Sequence, residues 1–178
     1  IKDDARIAVT ELREKLGIET VILTGNSGKN AKQISEEIGI DKYYAELLPT
    51  DKVEKFEEMI DKKSNNSKIA FVGDGVNDSP VLARADIGIA MGDIGSDAAI
   101  EAADIVIMNG EVRNVVEAIK ISKRTLKIVK QNIIFAITVK TLILLLSAFG
   151  LGNMWLAVFA DVGVSVICIL NSMRTLKK

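Results

Sequence analysis

The sequence has no histidine and a single cysteine, Cys168, so neither a disulfide framework nor a Cys/His zinc cluster can be assembled from it. Aromatic residues make up only 4%. No basic face interleaved with aromatics occurs in the charged part, which argues against nucleic acid as a partner. An excess of one charge sign is also lacking, with 23 basic and 24 acidic side chains and a formal net charge of -1. That balance conceals an asymmetry, because residues 133–170 hold only Lys140 and Asp161 while the region before them holds nearly all the other charges. The chain therefore divides into a soluble part and a membrane part. The opening run IKDDARIAVTELREKLGI starts inside a helical pattern with no charged-then-apolar targeting segment, and reads as a cut end.

Along the soluble part, apolar residues at Ala8, Leu12 and Leu16 recur at helical spacing and stop at Gly17. A β-branched run, Thr20 to Leu23, then ends at Thr24-Gly25. Helices are expected over Lys29 to Ile38 and Asp51 to Lys62, with an extended stretch around Tyr43 to Leu47 between them. Further short apolar runs follow at Lys68 to Val72, Ile87 to Ala90 and Ile105 to Met108. Strands alternating with helices imply an α/β fold, a parallel sheet covered on both faces. Such sheets bind ligands at the carboxyl ends of their strands, where Thr24-Gly25 and the loop from Gly73 to Asp78 fall.

Val112 to Lys130 reads as an amphipathic stalk carrying Lys120, Lys123, Arg124, Lys127 and Lys130. Ile133 to Leu151 and Met154 to Leu170 are then long enough to cross a bilayer, joined by a turn at GLGN. Basic residues flank the two outer ends of this hairpin and the turn has none. The positive-inside bias thus predicts a multi-pass membrane protein with residues 1–132 and the tail in the cytoplasm and the turn outside. Trp155 reads as an anchor near the outer surface, with Met154 as a packing neighbour.

Two carboxylates in a glycine-flanked turn, Asp74 and Asp78 in GDGVND, suit a hard cation such as magnesium, with Asp74 the better ligand. The plainer alternative is a polar turn with an N-cap aspartate. The loop is accompanied, however, by Thr24-Gly25 after another strand and by Lys52 in PTDK. A hydroxyl, a lysine and a magnesium carboxylate are what phosphoryl transfer requires around equatorial oxygens that gain charge.

The segments LTGN (23–26), LLPTDK (47–52), VGDGVNDSPVLARADIGIAMG (72–92) and SDAAIEAADIVIM (96–108) resemble the later motifs of the P-type ATPases, in order and near their spacing. The resemblance covers essentially the whole chain. It implies a Rossmann-like sheet of the haloacid-dehalogenase type, with residues 1–111 the C-terminal half of a phosphorylation domain, 112–132 the stalk, and 133–178 two transmembrane helices at about 133–151 and 154–171. It also implies that Thr24, Gly25 and Lys52 bind the phosphoryl group, that Asp74 holds magnesium, and that Asn77 and Asp78 complete the hinge. ATP is the implied phosphoryl donor. The expected partners are the lipid bilayer and the rest of the same polypeptide: the actuator domain, the nucleotide-binding domain and earlier spans. The phosphorylated aspartate of a DKTGT motif does not occur in the sequence, which leaves the segment inactive alone. Asn26 stands where the family usually has aspartate, so a negative charge is lost there.

Charges in transmembrane helices cost roughly 3 kcal/mol each on insertion scales, so Lys140 and Asp161 need a reason to be there. At about 1.5 Å per residue each lies roughly 10 Å into its own span, from opposite sides, so both fall near mid-membrane. They are expected to pair; snorkelling for Lys140 and a polar partner elsewhere for Asp161 are the alternatives. FAITVK and DVGVSVICILNSMRTLK resemble the last two helices of zinc, cadmium and lead exporters, where the corresponding lysine and aspartate belong to the ion site. The Tyr-Asn and Met-plus-two-Ser patterns of copper exporters do not occur here. The resemblance implies export of a divalent heavy metal, with Asp161 at the ion and Lys140 a counter-charge. Pumping of another cation such as copper or potassium, and a non-catalytic truncated pseudo-pump, remain alternatives. Cys168 shares a face with Asp161, but a lone transmembrane cysteine is more often a small apolar filler.

Overall fold

A computed structural model describes residues 3–73, 76–92 and 97–176, and the chain separates into two compact units, Ile1–Val116 and Glu117–Lys178. In the first, helix α1 (Asp3–Thr10) continues through a π turn at Glu11–Lys15 and ends before Gly17, whose φ of +66° only glycine adopts without strain. Strand β1 (Val21–Leu23) follows, then α2 (Gly28–Ile38), β2 (Lys42–Tyr44), α3 (Pro49–Lys62) and β3 (Ala70–Gly73). A 3-10 turn at Val76–Asp78 leads into the short α4 (Ser79–Leu82), and β4 (Ile87–Met91), α5 (Asp97–Ala102) and β5 (Ile105–Ile107) complete the unit before α6 (Arg113–Ala148) begins.

All strand pairs are parallel, but the strands form two hydrogen-bonded sheets, β1-β2 and β3-β4-β5, where the sequence pattern predicts one. Entry to the first sheet is fixed by Asp41, whose carboxylate accepts hydrogen bonds from the Thr20 backbone N–H (2.8 Å) and hydroxyl (2.9 Å) and pairs with Arg13 (2.7 Å). The Thr20 backbone bond above all holds this carboxyl below the usual range, with the Thr20 hydroxyl and Arg13 assisting against the opposing effect of burial. β2 lies slightly earlier than the predicted stretch, because Glu46 takes a φ of +59° and ends the extended run. In the second sheet Asp86 accepts from the Lys63 and Lys68 ammonium groups and from the Ile69 N–H, anchoring the start of β3. Lys63 first, then the Ile69 N–H and Lys68, push the Asp86 carboxyl far below its ordinary value.

Phe56 of α3 is buried and meets Phe71 of β3 edge to face, with ring centroids 5.5 Å apart. Burying such a side chain contributes about 1.5–3 kcal/mol, so this contact does much to fix α3 over the β3 side of the unit. Val81, Leu82, Ala90 and Ala99 fill the space between α4, β4 and α5.

In the second unit, α6 passes without a break from the basic stretch into the apolar one. After Gly150, Asn153 caps α7 (Met154–Val158) by accepting the Leu156 N–H at 2.8 Å. A π turn at Phe159–Gly163 and helix α8 (Val164–Ser172) follow, with a last 3-10 turn at Met173–Thr175. The helical stretches Arg113–Ala148 and Met154–Thr175 are both long and apolar enough to cross a membrane. Their large apolar side chains face outward, with Leu144 72% and Trp155 81% exposed.

Candidate functional site

The loop leaving β1 is tied to the segment that starts α3. The Thr24 N–H donates to Tyr44 O (3.0 Å), the Leu47 N–H to Thr24 O (3.1 Å), and the Glu46 N–H to Asn26 O (2.9 Å). Within the loop the Thr24 hydroxyl accepts from the Asn26 N–H at 3.1 Å. Gly25 is exposed, and a Cβ there would lie 3.2 Å from Leu47 O, so the two loops touch through backbone. Pro49 opens α3, where it needs no N–H partner, and the Asp51 carboxylate accepts the Leu48 N–H at 3.0 Å. Lys52 therefore projects from the first turn of a well-anchored helix.

Lys52 Nζ meets Asp78 Oδ1 at 3.0 Å. Asp78 in turn packs on Gly73, where a Cβ would stand 2.9 Å from the Asp78 Cβ and 3.0 Å from the Phe71 ring. The structure thus links Lys52 and Asp78 directly and joins Thr24 and Gly25 to the strand-helix connection that carries Lys52. Asn77 lies exposed in the 3-10 turn. Asp74, the predicted magnesium ligand, lies outside the described residues. The pairing of Lys52 with Asp78, 26 residues away, was not predicted from the sequence.

In the second unit Lys140 Nζ lies 2.9 Å from Asp161 Oδ1. Asp161 sits in the π turn at Phe159–Gly163, and its carbonyl accepts the Ser165 hydroxyl at 2.6 Å. Single π turns loosen the backbone pattern of a helix and are frequent at functional sites. A second polar group, also not predicted, joins the same helices: Asn132, Cys168, Asn171 and Ser172. Its only signal in the sequence is a pair of amides at the edges of apolar runs.

A haloacid dehalogenase-like hydrolase model matches residues 1–86. Over 178 residues the chain is 52% identical to the cadmium, zinc and cobalt-transporting ATPase of Bacillus subtilis (strain 168) and 50% identical to the zinc-transporting ATPase of Synechocystis sp.. Each match covers 99% of this chain. The chain belongs to the P-type ATPase family. Its fold agrees with the crystal structure of a zinc-transporting PIB-type ATPase in its E2.Pi state, at a TM-score of 0.90 and 37% identity over 99% of this chain. It spans about a quarter of the length of the curated relatives, 25% and 24%, and 28% of that solved P-type ATPase. The parallel sheets are those of the haloacid-dehalogenase type, followed by the two apolar helices of a transmembrane hairpin.

Proposed function

We propose that this segment belongs to an ATP-driven pump that exports a divalent heavy metal ion, zinc, cadmium or lead, and that it supplies part of the phosphorylation machinery and part of the ion path. The observation that carries the reading is the Lys140–Asp161 contact at 2.9 Å within an otherwise uncharged hairpin. Ionisable residues at such depth mark ion pathways in membrane proteins. Asp161 ligates the ion through carboxylate oxygen, and Lys140 competes for the same oxygen, so the ammonium returning to Asp161 favours release of the ion.

In the phosphorylation domain, an aspartate upstream of this segment accepts the phosphoryl group of ATP, so the segment is inactive alone. Lys52 contributes positive charge to the transferred oxygens, and the Thr24 hydroxyl and Gly25 backbone bind them. Asp78 holds the ammonium of Lys52 until the phosphoryl group competes for it, and Asn77 fixes the turn. The donor set fits magnesium: the side chains of this loop offer only hard oxygen and amide groups. Asp74 is the residue that would hold it, and when bound it would neutralise charge on the transferred group.

The lipid bilayer and the remaining domains of the same polypeptide are the partners, with the first unit cytoplasmic. ATP hydrolysis by the full-length protein in lipid, scanned against zinc, cadmium, lead, copper(I) and potassium, tests this. Stimulation by the first three alone is the expected result. Stimulation by copper or potassium overturns the substrate, and silence with every ion overturns the pump.

A further inference from the structure

The Asn132 side chain directs three of its four hydrogen-bonding positions to the returning helix. Its Nδ2 donates to Cys168 O (3.1 Å) and Ser172 Oγ (2.9 Å), and its Oδ1 accepts from Asn171 Nδ2 (2.8 Å). Because a carbonyl can only accept, the Cys168 bond fixes Nδ2 as the end of the amide that meets it. The Cys168 thiol approaches the backbone oxygen of Asn132 at 3.8 Å, the Ser172 hydroxyl donates to Cys168 O (2.9 Å), and Arg174 donates to Asn171 Oδ1 (3.1 Å). Every inter-helix bond of this group converges on one residue of α6.

The spacing relates this group to the ion pair. Asn132 and Lys140 are eight residues apart, about 12 Å along α6, and Asp161 and Asn171 are ten apart, about 15 Å along the returning helix. Two antiparallel helices satisfy both contacts in a single register only when these lengths nearly agree, and the π turn holding Asp161 absorbs part of the difference by widening the helix. A slide of one residue, about 1.5 Å, carries the amide bonds out of range.

We propose that Asn132 is a positioning residue: it clamps α6 to α8 through Asn171, Ser172 and the Cys168 carbonyl, and so sets the register in which Lys140 meets Asp161. The clamp itself stands on geometry, while its consequence for the ion rests on the transport reading above. In the full-length protein in lipid vesicles, site-resolved mass spectrometry reads alkylation of Cys168 by N-ethylmaleimide, and zinc-titrated ATP hydrolysis runs in parallel. Loss of one such set of inter-helix bonds in N132A or N171A is expected to speed alkylation roughly threefold to tenfold. N132D keeps the volume but loses both donated bonds and sets a carboxylate oxygen against the Cys168 carbonyl, so it is expected to speed alkylation at least as much as N132A. K140A lies about 12 Å away, where independent sites add without coupling, yet it speeds alkylation as well because both contacts hold one register. In hydrolysis, N132A is expected to move the zinc response in the same direction as K140A, to a lower half-saturating concentration with slower maximal turnover, and it adds no further change to K140A. Unchanged alkylation in N132A and N171A overturns the clamp, and alkylation that responds to N132A but not to K140A overturns the positioning role. Failure of zinc to stimulate the wild type sinks the transport reading alone, since the alkylation rates still decide the clamp and its coupling to Lys140.

Discussion

The ammonium of Lys52 and the carboxylate of Asp78 sit 3.0 Å apart, each side chain less than one-fifth exposed, although they come from different helix-strand connections. The lysine rises from the first turn of α3 and the aspartate from the turn after β3, where Gly73 leaves room for its Cβ. In the proposed function, a contact of this kind would preset a cation where phosphoryl oxygens gather charge, at little reorganisation cost.

Lys52→Ala in the full-length protein is therefore expected to lower the rate of phosphorylation by ATP by about 10²–10³, the usual effect of deleting one preorganised stabilising group. Asp78→Asn keeps the lysine but loosens its aim, and its effect is smaller. Phosphoenzyme formed from radiolabelled ATP within the first seconds measures both. A rate within a few-fold of wild type for Lys52→Ala removes the lysine from the transfer step.

Two glycines separate stability from activity. At Gly88 a Cβ would stand 2.7 Å from the backbone oxygen of Leu82, which cannot yield, so Gly88→Ala should cost about 1–3 kcal/mol of stability while folded molecules keep their turnover. At Gly73 the obstacles are the Asp78 side chain and the Phe71 ring, so Gly73→Ala should displace the partner of Lys52 and lose activity per folded molecule, which Gly88→Ala keeps, as well as stability. Thermal melting and hydrolysis per folded molecule, measured on both variants, distinguish the two patterns.

The sequence made visible what depends on local pattern. The β-branched run after Gly17 announced β1, and the helical pattern from Asp51 to Lys62 announced α3, which begins two residues earlier at Pro49. Lys140 and Asp161 stood out because each is the single charge in an apolar run, at matching depths in antiparallel helices. Relationships between distant segments were not legible. Nothing in a single sequence orders the strands, so the separation of β1-β2 from β3-β4-β5 emerges only in three dimensions. The left-handed Glu46 that shortens β2 has no glycine to advertise it. Asn132 and Asn171 carry no charge, and charge was what drew the eye to the membrane helices.

Acid should release the start of β3. The Asp86 carboxyl, held by Lys63, the Ile69 N–H and Lys68, has a folded-state pKa below its ordinary value of 3.8. A depressed folded pKa gives stability that is present above the unfolded value and is lost as pH falls through the folded one. The stability gap between wild type and Asp86→Asn is accordingly expected to stay constant from about pH 5 to 8 and to close below about pH 4. Melting midpoints of the two proteins across that range provide the check. A gap that persists unchanged at the acid end contradicts the ion-pair origin.

The intramembrane pair makes opposite demands on its two members. If Asp161 ligates the ion, Asp161→Ala removes metal stimulation of hydrolysis altogether, because no other described carboxylate lies in the hairpin. Lys140→Ala leaves the ligand in place but strips its counter-charge, exposing a carboxylate that costs roughly 3 kcal/mol at the centre of a span when unpaired. The bare carboxylate then holds a divalent cation more tightly, so this variant should bind zinc at lower concentration yet turn over more slowly, with release the slowed step. Equilibrium zinc binding without ATP, set beside steady-state hydrolysis, reads the two quantities separately. Weaker binding in Lys140→Ala would mean that the lysine organises the site instead of emptying it, and full metal stimulation in Asp161→Ala would move the ion path elsewhere in the pump.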